Sequence, residues 1–428
     1  MRRIDFATDP RAVHELSRHT SALMPEVEER VKEILAAVRS EGDEAVTTYT
    51  RQFDCKFIDS LGLRVSEREI DAARRHVGKE FMKAMRVART NITRFHKRQL
   101  QKSWSLRGKG MRLQQRFLPM SRVGIYIPGG KASYPSTVLM NALPALIAGV
   151  EEIVMVTPCN AEGKISPHVL VAARECGIEE IHRIGGAQAV AALAFGTESI
   201  RRVDKITGPG NAYVAAAKRM VFGHVGIDSI AGPTEVVVVA DGSARADFVA
   251  ADLIAQAEHD ETASPICITD SPDLAQRIEA SVAEQLEHAP RRAIAQRALN
   301  QQGTIILVPQ IKQAVEIVNE LAPEHLEVMT KHPDRFASKV VNAGSIFLGA
   351  WSTEALGDYI VGPNHTLPTL GTARFSSALS VSDFMRFTNV IEVSQKRFQG
   401  LARHVEVLAE AEGFHGHAAS VRVRMESA

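Results

Sequence analysis

A few short stretches carry the side chains that could do chemistry. Gln256-Ala257-Glu258-His259 closes an apolar run, Phe248 to Ala255, that contains no Gly or Pro and reads as a helix. Residues three apart share a helix face, so Gln256 and His259 can address one object, and the partial negative charge of a helix C-terminus favours a cation there. Ala322-Pro323-Glu324-His325-Leu326 sets a carboxylate beside an imidazole. Pro323 suits the first position of a short helix, whose positive end disfavours imidazolium, so His325 is expected to stay neutral and able to accept a proton. Leu356-Gly357-Asp358-Tyr359 puts a carboxylate in a loop after the last strand, and His365 follows in Gly362-Pro363-Asn364-His365. Near the end, Glu412 precedes His415 and His417. Two apart in an extended chain, those histidines face opposite ways and do not share one ion in the simplest geometry. A Gln, two His and an Asp would form a mixed N/O ligand set that suits zinc, with manganese or cobalt as substitutes. Taken singly, each stretch also has a plain structural reading: a helix cap, a surface His, a turn-forming Asp.

The elements that must position these groups fall into series. Residues 1–115 read as helical: Val27, Val31, Ile34, Leu35 and Val38 recur at helical spacing after Pro25. Ser66-Glu67-Arg68-Glu69 is a capping-box pattern, followed by a stripe of Ile70, Val77, Phe81, Met85, Ala88, Ile92 and Phe95 with a candidate break at Gly78. From Val123, β-rich runs alternate with helix-length segments: Val123–Ile127, Ile153–Val156, Ile181–Ile184 and Val203–Ile206, then Val236–Val239, Ile266–Thr269, Thr304–Val308, Leu326–Val328 and Ser345–Leu348. That alternation predicts parallel strands covered by helices, in two Rossmann-like α/β units of similar build. N-terminal helices precede them, and residues 379–428 read as a small helical tail with Leu401, Val405 and Leu408 on one side. The turns after the first-series strands are glycine-rich: Pro128-Gly129-Gly130, Gly185-Gly186-Ala187-Gln188 and Gly208-Pro209-Gly210-Asn211. Each lets backbone amides approach a ligand and opens onto a helix N-terminus, which together suit a dinucleotide although no Gly-x-Gly-x-x-Gly follows a strand.

Composition removes other classes. With 428 residues, 45% hydrophobic and 24% charged, the chain is an ordinary globular sequence of several domains. A net charge of +1 selects neither nucleic acid nor membrane. The basic stretch Arg94 to Arg116 reads as a solvated connector. The longest apolar region, Val138 to Val150, is interrupted by Asn141, Pro144 and Gly149, too short and broken to span a bilayer. The acids Asp5 and Asp9 stand where a signal peptide needs an apolar core, and Cys55, Cys159, Cys176 and Cys267 include no Cys-x-x-Cys pair, so a reduced, cytoplasmic protein is expected.

Read together and in order, Gly-Pro-Gly-Asn at 208–211, Ala-Gly-Pro-Thr-Glu at 231–235, Gln-Ala-Glu-His at 256–259, Ala-Pro-Glu-His-Leu at 322–326, Gly-Asp-Tyr at 357–359, Gly-Pro-Asn-His at 362–365 and Glu-Gly-x-x-x-His at 412–417 resemble the L-histidinol dehydrogenase family along essentially the whole chain. The resemblance implies a homodimer holding one Zn2+ per subunit that oxidises L-histidinol to L-histidine through histidinal with NAD, the last steps of histidine biosynthesis. It implies Gln256, His259, Asp358 and His417 as metal ligands, His417 arriving from the partner subunit, and Glu324 and His325 as the catalytic pair. Tyr126, Gln188 and Asn211 match NAD contacts; Thr234, Gln256, His259, His325, Asp358, Glu412 and His417 match substrate contacts. Many members have Ser where this chain has Thr234, which keeps the hydroxyl and adds a methyl. The domain division that goes with it is an N-terminal arm over 1–21, a first α/β domain over 22–125 plus 234–378 carrying metal and catalytic residues, an NAD-binding α/β domain over 126–233, and a tail over 379–428 packing on the partner. The alternatives are a dehydrogenase of the same fold acting on another alcohol such as a sulfonated diol, a zinc hydrolase, which leaves the glycine-rich turns unexplained, and a binding protein with a structural metal.

Overall fold

In the computed structural model, residues 1–18, 25–130 and 132–426 are described. A short strand, β1 (Arg2–Asp5), comes first, followed by helices that include Pro25–Glu41, Asp43–Phe53, Glu67–Ala73 and Lys79–His96. A hairpin of β2 (Trp104–Gly108) and β3 (Met111–Pro119) leads into the first α/β series, β4 (Arg122–Tyr126), β5 (Glu152–Val156), β6 (Glu180–His182), β7 (Lys205–Thr207) and β8 (Gly226–Ile227). The second series is β9 (Glu235–Ala240), β10 (Ser264–Thr269), β11 (Thr304–Leu307), β12 (His325–Met329) and β13 (Ser345–Leu348). Strand β14 (Met385–Val393) and helices Gln395–Ala411 and His415–Glu426 close the chain.

The two series build two parallel sheets of the same topology. One runs β6-β5-β4-β7-β8; the other runs β11-β10-β9-β12-β13 with β1 added beside β11. In each, the first strand of the series is central, flanked by the second and fourth, as expected for two α/β units of similar build. Such sheets need apolar residues on both faces. Val236 and Val238 pack with the helices Ala246–Ala257, Pro272–Glu287 and Arg292–Gln301, while Val237 and Val239 face the opposite cluster with Val13, Ile317 and Val318. This alternation of neighbouring valines is the period of a strand.

Several expectations for the N-terminal region change. Residues 1–115 are not all helical: Arg2-Arg3-Ile4-Asp5 is an edge strand with only Ile4 buried, and 104–119 is a hairpin. Neither has a strong local pattern; each is fixed by pairing with residues far along the chain, β1 with β11 and β3 with β14. The helical stripe is interrupted as expected, with Gly78 capping the second helix, and Ser66 and Glu69 form a reciprocal capping box. The helices between 25 and 96 pack on the five-stranded sheet, not on the six-stranded one to which the domain division assigned them. Val31, Ile34, Val38 and Val46 lie in one core with Val190, Ala216 and Val221, and Ile70, Met85 and Ile92 lie in another with Ile125 and Met155. The expected boundary between 21 and 22 lies outside the described residues.

By contacts the chain divides into two units, Met1–Gln99 with Met120–Phe384, and Leu100–Pro119 with Met385–Ala428. The first holds both parallel sheets. The second is the antiparallel sheet β14-β3-β2 with the two closing helices, so the tail is not purely helical. The later part of the basic stretch, from Trp104, is part of this sheet, where Arg112 on β3 stands opposite Glu392 on β14 at 2.7 Å.

Candidate active site

The six-stranded sheet gathers the acid, base and metal candidates at the amino edge of its strands. His325 is the first residue of β12, and Thr234 immediately precedes β9. The helix Ala246–Ala257 follows β9 and runs back along it. Its 12 residues span about 18 Å and the 6 residues of β9 about 20 Å, so the last helical turn returns to the level where β9 began. Gln256 sits in that turn and His259 two residues past the helix end.

Asp358 was expected in a loop; it lies on the helix Glu354–Tyr359. Gly357 suggested a turn, yet its φ is not left-handed. A Cβ there would come within 2.6 Å of the Phe347 ring, so the glycine serves close packing. The helix puts Glu354 one turn before Asp358, and Glu354 was not singled out in the sequence. His259, Glu354 and Asp358 offer ligand atoms all within 4.8 Å of one another.

The helix expected at Pro323 is absent. Helix Ala314–Leu321 ends at Ala322 in the left-handed region, with φ 48°, and the chain enters the buried central strand β12 at once. The helix start expected to keep His325 neutral is therefore not there. Burial would push its pKa down, but Glu354, Glu324 and Asp358 outweigh that and hold it well above the ordinary imidazole value. Its tautomer is set by geometry. Nδ1 lies 3.0 Å from the carbonyl oxygen of Glu235, which can only accept, so Nδ1 carries the hydrogen. Nε2 is buried without a hydrogen-bond partner and stands 3.6 Å from Asp358 Oδ1.

Glu324 is held by two donors, the Thr234 hydroxyl at 2.6 Å and the Glu235 N–H at 2.9 Å. The single hydroxyl hydrogen of Thr234 goes to Glu324, so its oxygen accepts from Gln256 Nε2 at 2.7 Å. That turns the Gln256 carboxamide oxygen toward Glu354, 2.7 Å from both carboxylate oxygens. Rotating the amide would let its nitrogen donate to both Glu354 oxygens but would place its oxygen in competition with Glu324 for the Thr234 and Glu235 donors. Oxygen facing oxygen needs a proton or a cation between. Burial, opposed by His325 and reinforced by Asp358 and Glu324, pushes Glu354 up to about 8. Desolvation holds His259 below the usual imidazole value and favours its neutral, ligating form. The donor set fits a divalent cation of zinc type.

Behind these groups lies a second pair of acids absent from the sequence reading. Glu327, fully buried on β12, has its carboxyl beside that of Asp252 on the helix Ala246–Ala257, and two buried carboxyl groups so placed favour sharing one proton over carrying two charges. Burial, with Asp252 beside it, pushes Glu327 up to about 9. His365, the remaining histidine here, approaches Thr137 Oγ1 at 3.4 Å, and burial lowers its pKa.

The glycine-rich turns gather at the carboxyl edge of the five-stranded sheet. Tyr126 ends β4 and its hydroxyl accepts from Gly186 N–H at 3.1 Å. Gln188 follows in the helix Gly186–Phe195, buried, with Nε2 unpartnered. Asn211 caps the helix Ala212–Val221 by accepting from Tyr213 and Val214 N–H. At Gly208, φ is 115° and a Cβ would lie 2.0 Å from the Tyr126 carbonyl oxygen, so no other residue fits. Asp54, also missed in the sequence, lies beside the Gly185 backbone, and burial pushes it up to about 6. Glu412 and His417 belong to the second unit, Glu412 capping the helix Gln395–Ala411 and His417 in the first turn of the helix His415–Glu426, its ring 5.2 Å from Phe414.

The chain is similar to known proteins along nearly its whole length. The family model described as histidinol dehydrogenase matches residues 17–425. A histidinol dehydrogenase of Gluconobacter oxydans is 52% identical over 94% of this chain and 93% of its own length, and one of Synechococcus sp. is 50% identical over 94% and 92%. The crystal structure of histidinol dehydrogenase from Elizabethkingia anophelis superimposes with a TM-score of 0.88 at 39% identity, covering 94% of this chain and 92% of that one. By the family match and by identity over nearly its whole length, the chain belongs to the histidinol dehydrogenase family.

Proposed function

We propose that this chain is the NAD-dependent, zinc-containing enzyme that oxidises L-histidinol to L-histidine through histidinal, completing histidine biosynthesis. The observation that carries the reading is the unpartnered Nε2 of His325, fixed as the proton-accepting nitrogen by the Nδ1 bond to Glu235 and set among His259, Glu354 and Asp358. With a cation offsetting the carboxylates that otherwise keep its ring protonated, His325 would take the alcohol proton through that nitrogen as the carbon is oxidised. Glu324, oriented by Thr234 and Glu235, activates the water that hydrates the aldehyde, and His325 serves the second oxidation. A bound zinc, held by Gln256, His259, Asp358 and His417 of a second copy, would fix the substrate's imidazole and amine; NAD, against Tyr126, Gln188 and Asn211, would accept hydride. Thr234, Gln256, His259, His325, Asp358, Glu412 and His417 are the substrate contacts of this reading. A homodimer accords with the apolar surface of the second unit, where Trp104, Leu106, Phe387 and Ile391 are exposed. No helix among the described residues is long and apolar enough to cross a membrane.

The test is His325→Asn. Histidinol oxidation should fall by about 10²–10⁴-fold, the usual contribution of a positioned base, with zinc content unchanged. Unchanged turnover would remove His325 from this role.

A further inference from the structure

We propose that the buried acid pair Asp252–Glu327, which touches neither the proposed catalytic atoms nor the ligand atoms, is the positioning device that holds the metal-bearing and base-bearing elements in register.

Three elements supply the site: the helix Ala246–Ala257 with Gln256, strand β12 with His325, and the helix Glu354–Tyr359 with Glu354 and Asp358. They are distant in sequence, and the last has only 6 residues, too few to hold its place by its own hydrogen bonds. Two donors at its start, one hydroxyl and one backbone N–H, are captured by the acid pair. Thr353, the residue before the helix, donates its hydroxyl to Asp252 Oδ1 at 2.9 Å. The backbone N–H of Glu354 donates to Glu327 Oε1 at 2.7 Å. The remaining oxygen of Glu327 finds no N–H or hydroxyl donor and faces the Asp252 carboxyl instead. Each acid is in turn fixed to one of the other two elements. Asp252 lies one helical turn before Gln256, and Glu327 is two residues after His325 on the same side of its strand. One carboxyl–carboxyl contact thus ties the start of the Asp358 helix to the helix carrying Gln256 and to the strand carrying His325. A structural filler at this buried place would be apolar; acids that meet two specific donors from a third element set geometry.

The consequence for metal affinity rests on the zinc reading above; the geometric claim does not. The experiment uses the full chain as purified, with Glu327→Leu, Asp252→Ala and Glu327→Gln. Gln keeps an oxygen for the Glu354 N–H and supplies an N–H2 for Asp252, so it should preserve the network. Hydrogen exchange over residues 351–360 should accelerate in Glu327→Leu and Asp252→Ala and stay near wild type in Glu327→Gln. Zinc affinity, measured by chelator competition, should fall about 10–100-fold in the first two and hold in the third, the usual effect of losing a group behind the ligands. If Glu327→Leu leaves that segment protected, or Glu327→Gln is as exposed as Glu327→Leu, the positioning role is overturned. Altered exchange in Glu327→Leu and Asp252→Ala with zinc affinity unmoved in every variant would overturn the link from the pair to the metal, whereas no zinc binding by the wild-type chain would refute the metal reading and leave the positioning role to the exchange data.

Discussion

Thr234 connects the two halves of the chemistry through one oxygen, giving its hydrogen to Glu324 and accepting one from Gln256. Its extra methyl relative to serine takes no part in either bond. Thr234→Ser should therefore keep the oxidation of histidinal within about twofold of wild type, whereas Thr234→Val leaves Gln256 Nε2 without this acceptor and Glu324 with only the Glu235 N–H, a loss of about 1–3 kcal/mol, or about 5–150-fold, read in steady-state kinetics. A Val variant as active as Ser would show that the hydroxyl orients nothing. At this scale the sequence was informative where groups sit close together in the chain: Gln256 with His259, Glu324 with His325. It was silent on Glu354, Glu327 and Asp252, because acids reveal a shared site only when strands and helices distant in sequence fold them inward. The local argument for His325 also failed. Ala-Pro-Glu-His looked like a helix start, but the pairing of β12 between β9 and β13 overrides that preference.

Among the elements, the alternation of apolar runs and helix-length segments made most of both parallel sheets legible, since central strands such as β4 and β9 are buried on both faces and read as apolar runs. Strands β1, β2, β3 and β14 were not legible, because their residues are half-exposed or polar and only long-range partners define them. The glycine-rich edge has its own support. Gly208 is gripped on both sides of its peptide: its N–H donates to Asp228 Oδ2 at 2.7 Å, and its carbonyl accepts from Lys218 Nζ at 2.9 Å. Lys218 and Asp228 also pair directly, with side chains 2% and 4% exposed. Lys218→Met keeps the volume and strands a buried carboxylate, which should cost about 3–5 kcal/mol in denaturant unfolding. It should also raise the KM for NAD more than that for histidinol, because the turn leading to Asn211 loses its anchor. Equal changes in both constants would place this turn outside the cofactor site.

For the whole molecule, the proposed site draws His259, His325 and Asp358 from the first unit and Glu412 and His417 from the second unit of a partner copy. That arrangement has a signature in mixtures. His325→Asn and His417→Ala should each be inactive alone. A mixed dimer of the two carries one site with both changes and one with neither, so random reassembly should restore about a quarter of wild-type turnover. No recovery on mixing would place both residues in one chain's own site. The central claim is a four-electron oxidation at a single site, and the stoichiometry of cofactor reduction tests it most directly. With zinc-loaded protein and limiting L-histidinol, two reduced nicotinamides should form for each histidinol consumed, with L-histidine the product and no free histidinal accumulating. One reduced nicotinamide per histidinol with the aldehyde released, or none with histidinol and some with a different alcohol, would contradict the account.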